Sequence, residues 1–219
     1  MAVSTHDTSY ISKSKTEWRN WIYTLLDPKY TFLVSDSGEL QYKWLEPVGK
    51  DAHTFKQLLD TNKVSEDKLI GIDYDPKFPK RSMMNIKSCK NIFPNATFYD
   101  KEWNDFCSEY PHSDIGVFVF DFYTSTFGKN IEYMLESALP LIGACKRYLG
   151  EVLLIVNADI GYAKRKLRGT PEAYARELEE IFSKSTNSDI NNIKINPDTC
   201  YTYKQNTGGT TMGSFAIYV

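Results

Sequence analysis

Four acidic residues of this chain stand where a short apolar run ends. Glu46 follows Tyr42-Lys43-Trp44-Leu45, Asp73 follows Leu69-Ile70-Gly71-Ile72, Asp100 follows Ala96-Thr97-Phe98-Tyr99, and Asp121 closes Ile115–Phe120. A carboxylate at such a place accepts paired hydrogen bonds from a vicinal diol, or balances an ammonium group. By position Asp73 suits the diol of a ribose, and Glu46 the ammonium of an amino-acid-bearing ligand. Asp100 or Lys101 falls where an adenine would lie. Asp121 is followed by Phe122-Tyr123, an acid beside aromatic rings at the end of the fourth strand-like run. Lys164, Arg165, Lys166 and Arg168 form a dense basic run suited to phosphate contacts. Each feature also has a plainer use. An Asp past a strand makes turns or caps helices, Asp121 could cap the next helix, and a basic run is often just a solvated face. The recurrence of Glu46, Asp73 and Asp100 in order is what points to a ligand.

Those residues need elements to position them. Strand-like runs at Lys43–Glu46, Leu69–Asp73, Ala96–Tyr99, Ile115–Asp121 and Val152–Asn157 alternate with helix-like runs at Asp51–Asp60, Met83–Ile92, Trp103–Glu109 and Asn130–Tyr148. The spacing predicts Met83–Ile92 as short and weak. Strands apolar on both faces, alternating with helices, imply a parallel sheet covered on each side. In such sheets ligands bind at the carboxyl ends of the strands, where the strand order reverses. A helix over Pro171–Ser183 opens with Thr170 as N-cap, Pro171 at the first position and Glu172 in the first turn. Cys200–Tyr203 and Phe215–Val219, around the turn 205–209, predict an antiparallel pair closing one edge of the sheet.

Ahead of this unit, residues 1–40 read as an extension: a polar lead-in, a helix over Thr16–Leu26, and the start of a hairpin formed by Tyr30–Val34 and Leu40–Leu45. Residues 41–219 make the main domain. Net charge is −2, so nucleic acid would have to be met by a local patch and not by a global field. The four cysteines, at 89, 107, 145 and 200, lack metal-ligand spacing, and His6, His53 and His112 are too scattered for a metal site or a nucleophile–base pair. The apolar runs are strand-sized, and the first residues carry no signal-peptide pattern. A soluble, cytoplasmic protein is expected. Gly-x-Gly-x-x-Gly, Gly-x-Ser-x-Gly and P-loop patterns are absent, which argues against NAD-binding, hydrolase and NTPase readings.

The run Lys43-Trp44-Leu45-Glu46-Pro47-Val48-Gly49, with Gly71-Ile72-Asp73-Tyr74-Asp75-Pro76 after it, resembles the start of class I S-adenosylmethionine-dependent methyltransferases. The resemblance covers about residues 40–219. It implies an α/β, Rossmann-like methyltransferase sheet, mostly parallel with an antiparallel C-terminal strand pair and helices on both faces. It implies S-adenosyl-L-methionine as cofactor, held by Glu46, Gly49, Asp73, Tyr74, Asp100 and Lys101. Asp121-Phe122-Tyr123 is similar to the Asp/Asn-Pro-Pro-Tyr/Phe motif of amino-methylating nucleic-acid enzymes, but lacks both prolines. It implies Asp121 and Tyr123 as catalytic residues and nucleic acid as a substrate. Only Gly49 stands in a loop where the family carries two or three glycines. That departure leaves open a second function, a binding or interaction protein that kept the fold without catalysis.

Overall fold

A computed structural model describes residues 13–49, 52–74, 77–121, 130–160, 170–204 and 211–219, leaving aside the side chains at 130, 131, 159 and 189. Among them seven strands form one sheet: β1 Lys43–Pro47, β2 Leu69–Ile72, β3 Thr97–Tyr99, β4 Ile115–Asp121, β5 Leu153–Asp159, β6 Tyr201–Lys204 and β7 Thr211–Tyr218. Their order is β3-β2-β1-β4-β5-β7-β6. The first five run parallel, while β7 lies antiparallel to both β5 and β6. This is the mostly parallel Rossmann-like sheet expected from the alternation, with the expected terminal strand pair.

The helices are α1 Lys13–Thr24, α2 His53–Asp60, α3 Pro79–Ile92, α4 Trp103–Glu109, α5 Asn130–Leu149, α6 Pro171–Ser183 and the short α7 Ser188–Asn191. Alternation along each strand sorts the core into two layers. Leu45, Ile70, Ile72, Phe118, Phe120, Leu154 and Val156 face α4, α5 and α6. Trp44, Leu69, Val117, Val119, Leu153 and Ile155 face α1, α2 and α3. Because both sides are covered, the central strands are buried and largely apolar on both faces, with Glu46 and Asn157 as buried polar exceptions near their carboxyl ends.

Three local outcomes differ from or sharpen the sequence reading. α3 is a full 14 residues, not short and weak. Pro79 presets its first turn, and its buried stripe is Ser82, Ile86 and Cys89, two small residues and one large, too mild to register as an apolar face. The expected hairpin reduces to a single bridge between Val34 and Leu40, closed by Gly38 at φ +80°, after which the chain enters the sheet as β1. The helix expected over Thr16–Leu26 begins at Lys13 and packs on the sheet, with Trp18 and Ile22 wholly buried. At α6 the Thr170 hydroxyl accepts a hydrogen bond from the Ala173 amide, as an N-cap does.

Candidate functional site

The sheet order brings four of the predicted acids into one row. β1 lies between β2 and β4, so the chain order reverses there, and the carboxyl ends of β3, β2, β1 and β4 carry Asp100, Asp73, Glu46 and Asp121 in sequence along one rim. The register supports the alignment: Pro47 pairs with Ile72, Ile72 with Tyr99, and the Asp73 amide donates to the Tyr99 carbonyl at 3.2 Å.

At the Asp73 end, Asn85 of α3 donates its side-chain amide to Asp73 Oδ2 at 2.8 Å and so orients a half-buried carboxylate. Tyr74 beside it is 40% exposed. Asp100 is exposed, and Lys101 forms an ion pair with Glu109 of α4. Gly71, within the Gly-Ile-Asp run, serves packing: a Cβ there would meet the Phe98 ring at 2.6 Å and Val48 at 2.9 Å.

Glu46 lies deepest. The Trp44 indole donates to its Oε2 at 2.8 Å, and Thr54 is a further hydrogen-bond partner. Burial nevertheless dominates and pushes its carboxyl up to about 7, against the pull of Trp44 and of the Arg19 charge. Just past β1 the Val48 amide donates to the Ile72 carbonyl of β2, and the Ala52 amide donates to the Gly49 carbonyl. The Cys89 thiol donates to that same Gly49 carbonyl. Ala52 sits at φ +41°, a left-handed conformation usually given to glycine.

Asp121 is held from two sides. Its Oδ2 lies 2.5 Å from Lys15 Nζ and its Oδ1 accepts from the Asn157 amide at 2.8 Å. These partners are 106 and 36 residues away, so the carboxylate is fixed by tertiary structure. The same Asn157 amide nitrogen donates to the Tyr203 hydroxyl at 2.9 Å. The Asn157 carbonyl oxygen, fully buried, has no hydrogen-bond partner among the described residues. Burial lowers the Lys15 pKa, although the adjacent Asp121 charge opposes it. Lys15 also lies 4.3 Å from the Trp18 ring centroid.

Lys15, Arg19, Thr54, Asn157 and Tyr203 escaped the sequence reading. Lys15, Trp18, Arg19 and Ile22 share one helix face at i, i+3, i+4 and i+7, so two cations inside an apolar stripe were the available signal. Placing the helix start at Thr16 hid the first of them. Arg19 Nε donates to Thr54 Oγ1 at 3.2 Å, which links α1 to the start of α2. Tyr123 and the basic run Lys164, Arg165, Lys166 and Arg168 lie outside the described residues.

Among the described residues there is no cluster of metal-ligating side chains, and no helix is long and apolar enough to cross a membrane. No protein-family model matches the chain, and no curated protein matches it. Several solved structures are similar in fold. A spermidine synthase in complex with the transition-state analogue AdoDATO shares 13% identity at TM-score 0.47, with 89% of this chain aligned to 58% of that one. The chain thus spans less than two thirds of that protein. An rRNA-methylase candidate from Clostridium thermocellum shares 10% identity at TM-score 0.47, covering 95% of this chain and 97% of the other. The fibrillarin of Aeropyrum pernix, with natively bound S-adenosyl-L-methionine, shares 12% identity at TM-score 0.42, covering 90% and 74%. The likeness concerns the fold.

Proposed function

We propose that this protein is an S-adenosylmethionine-dependent methyltransferase acting on nucleic acid, at an amino group of a base. The observation that carries the reading is the row of Asp100, Asp73, Glu46 and Asp121 along the carboxyl rim, astride the point where strand order reverses.

The residues present suit the cofactor. Asp73, oriented by Asn85, would accept hydrogen bonds from the two ribose hydroxyls, with Tyr74 and the Asp100–Lys101 segment beside the adenine. Glu46, whose carboxyl burial pushes up to about 7, would be ionised by the arrival of an ammonium beside it. Gly49 lets the backbone approach. When bound, the cofactor supplies an electrophilic methyl group on a sulfonium.

The chain's own contribution is positional. Asp121 would align the acceptor amine and take up hydrogen bonds from it. The buried side-chain oxygen of Asn157, on the neighbouring strand and without a partner among the described residues, would offer a second acceptor for the same group. Tyr123 would stack on the base, and the basic run at 164–168 would hold the phosphates. Lys15, 2.5 Å from Asp121 Oδ2, would hold that carboxylate in place beneath the acceptor.

A second reading is a methyltransferase-fold binding protein without catalysis. One observation favours it: Asp121 is already neutralised by a lysine of its own chain. Incubation with radiolabelled S-adenosylmethionine and unmodified RNA or DNA separates the two. Label in the nucleic acid, lost in Asp121→Ala, supports the enzyme. Cofactor binding with no transfer to any nucleic acid supports the alternative.

A further inference from the structure

We propose that the outward face of α3 is a second nucleic-acid contact, one that grips the phosphate backbone of a single strand beside the candidate site. It rests on the nucleic-acid part of the reading above, not on the cofactor part. Five of the chain's 26 basic residues, and none of its 28 acidic ones, fall in residues 77–92: Lys77, Lys80, Arg81, Lys87 and Lys90. All five are exposed. In a chain of net charge −2 this is a concentrated local field.

The helix geometry arranges them. Ser82, Ile86 and Cys89 turn inward to the sheet. Opposite them Lys80, Met84 and Lys87 follow at i, i+4 and i+7, with Lys90 on one flank and Arg81 on the other. From Lys80 to Lys90 the cations span about 15 Å of helix. Among the described residues no acidic side chain pairs with Lys80, Arg81, Lys87 or Lys90. Phe78, 59% exposed, stands at the helix start and offers a ring for stacking, while Met83 and Met84, at 56% and 70%, offer soft apolar contact. Asn85 ties the same helix to Asp73, so a strand lying on α3 is led past the acidic rim.

A polyanion fits this surface better than a lipid bilayer does. A helix that lies in a membrane needs a continuous apolar face for the acyl region, and the inward stripe of α3 is already spent on the sheet. Its exposed apolar groups are interleaved with cations.

The test is fluorescence anisotropy of a labelled 20-nucleotide single-stranded RNA, and of the matching DNA, titrated with wild type and with the quadruple variant Lys80→Gln, Arg81→Gln, Lys87→Gln, Lys90→Gln. The variant should bind at least tenfold more weakly at low salt. Its slope of log affinity against log salt should be shallower by about 3, as four single-strand phosphate contacts require. A control with Lys29, Arg147, Arg176 and Lys194 changed to Gln alters net charge equally and should bind like wild type. Both variants should keep the wild-type melting temperature, since every changed side chain is exposed. Unchanged binding in the α3 variant, with binding lost on neutralising Lys164–Arg168, would overturn this inference and leave the substrate reading standing. Wild type that binds neither nucleic acid would overturn both, and so would wild type that sediments instead with phosphatidylserine vesicles. Neither result would touch the cofactor reading.

Discussion

At the residue scale the Asp121 end of the site pairs charges withdrawn from water across distant parts of the chain. Lys15 is 2% exposed, and its partner Asp121 comes from the end of β4. Removing one member of such a pair strands the other, so Lys15→Met should cost roughly 3 kcal/mol of folding stability. The double variant Lys15→Met, Asp121→Asn should recover part of that loss. Urea denaturation of the four proteins measures the coupling, and costs that simply add would remove the pair from the account. Glu46 yields a pH signature. Its carboxyl is ordinary in the unfolded chain but held up to about 7 when folded, so the native state binds the extra proton. Stability should therefore fall as pH rises from about 4.5 through 7, by roughly 3 kcal/mol in all. Glu46→Gln should flatten that slope in melts between pH 5 and 8. A slope unchanged by the substitution would place the titration elsewhere. Glu46, Asp73, Asp100 and Asp121 were legible in the sequence because each closes an apolar run. Lys15, Arg19 and Asn157 were not, because their meaning depends on which distant strand end they meet.

At the scale of elements the sequence was more forthcoming. Ile115–Asp121, Trp103–Glu109 and Pro171–Ser183 form with the expected bounds, since strong apolar runs, a capping threonine and a first-turn proline all act locally. α3 was underestimated because burial of Ser82 and Cys89 relies on the closeness of the sheet and not on side-chain bulk. The antiparallel terminal pair was legible, but not that β7 would insert between β5 and β6, which no local pattern encodes. Gly71 shows how a motif residue can answer to packing. Gly71→Ala would drive a methyl into the Phe98 ring and should destabilise the protein by about 1–3 kcal/mol, read by thermal or urea unfolding. Because the obstruction sits under the β2 end, Asp73 should shift with it. A variant as stable as wild type would mean that Phe98 yields freely.

For the molecule as a whole, the sheet gathers acids scattered over 76 positions, from Glu46 to Asp121, into one rim, and α1 covers the end of that rim with Lys15 and Arg19. The central claim is that this rim holds S-adenosylmethionine through Asp73. Calorimetric titration of the full chain with S-adenosylmethionine and S-adenosylhomocysteine tests it most directly. Wild type should bind with a stoichiometry near one. Asp73→Ala should weaken binding at least tenfold, because a ribose diol loses a charged acceptor worth about 1.5–3 kcal/mol. No heat of binding at millimolar ligand, or an Asp73→Ala affinity equal to wild type, would contradict it.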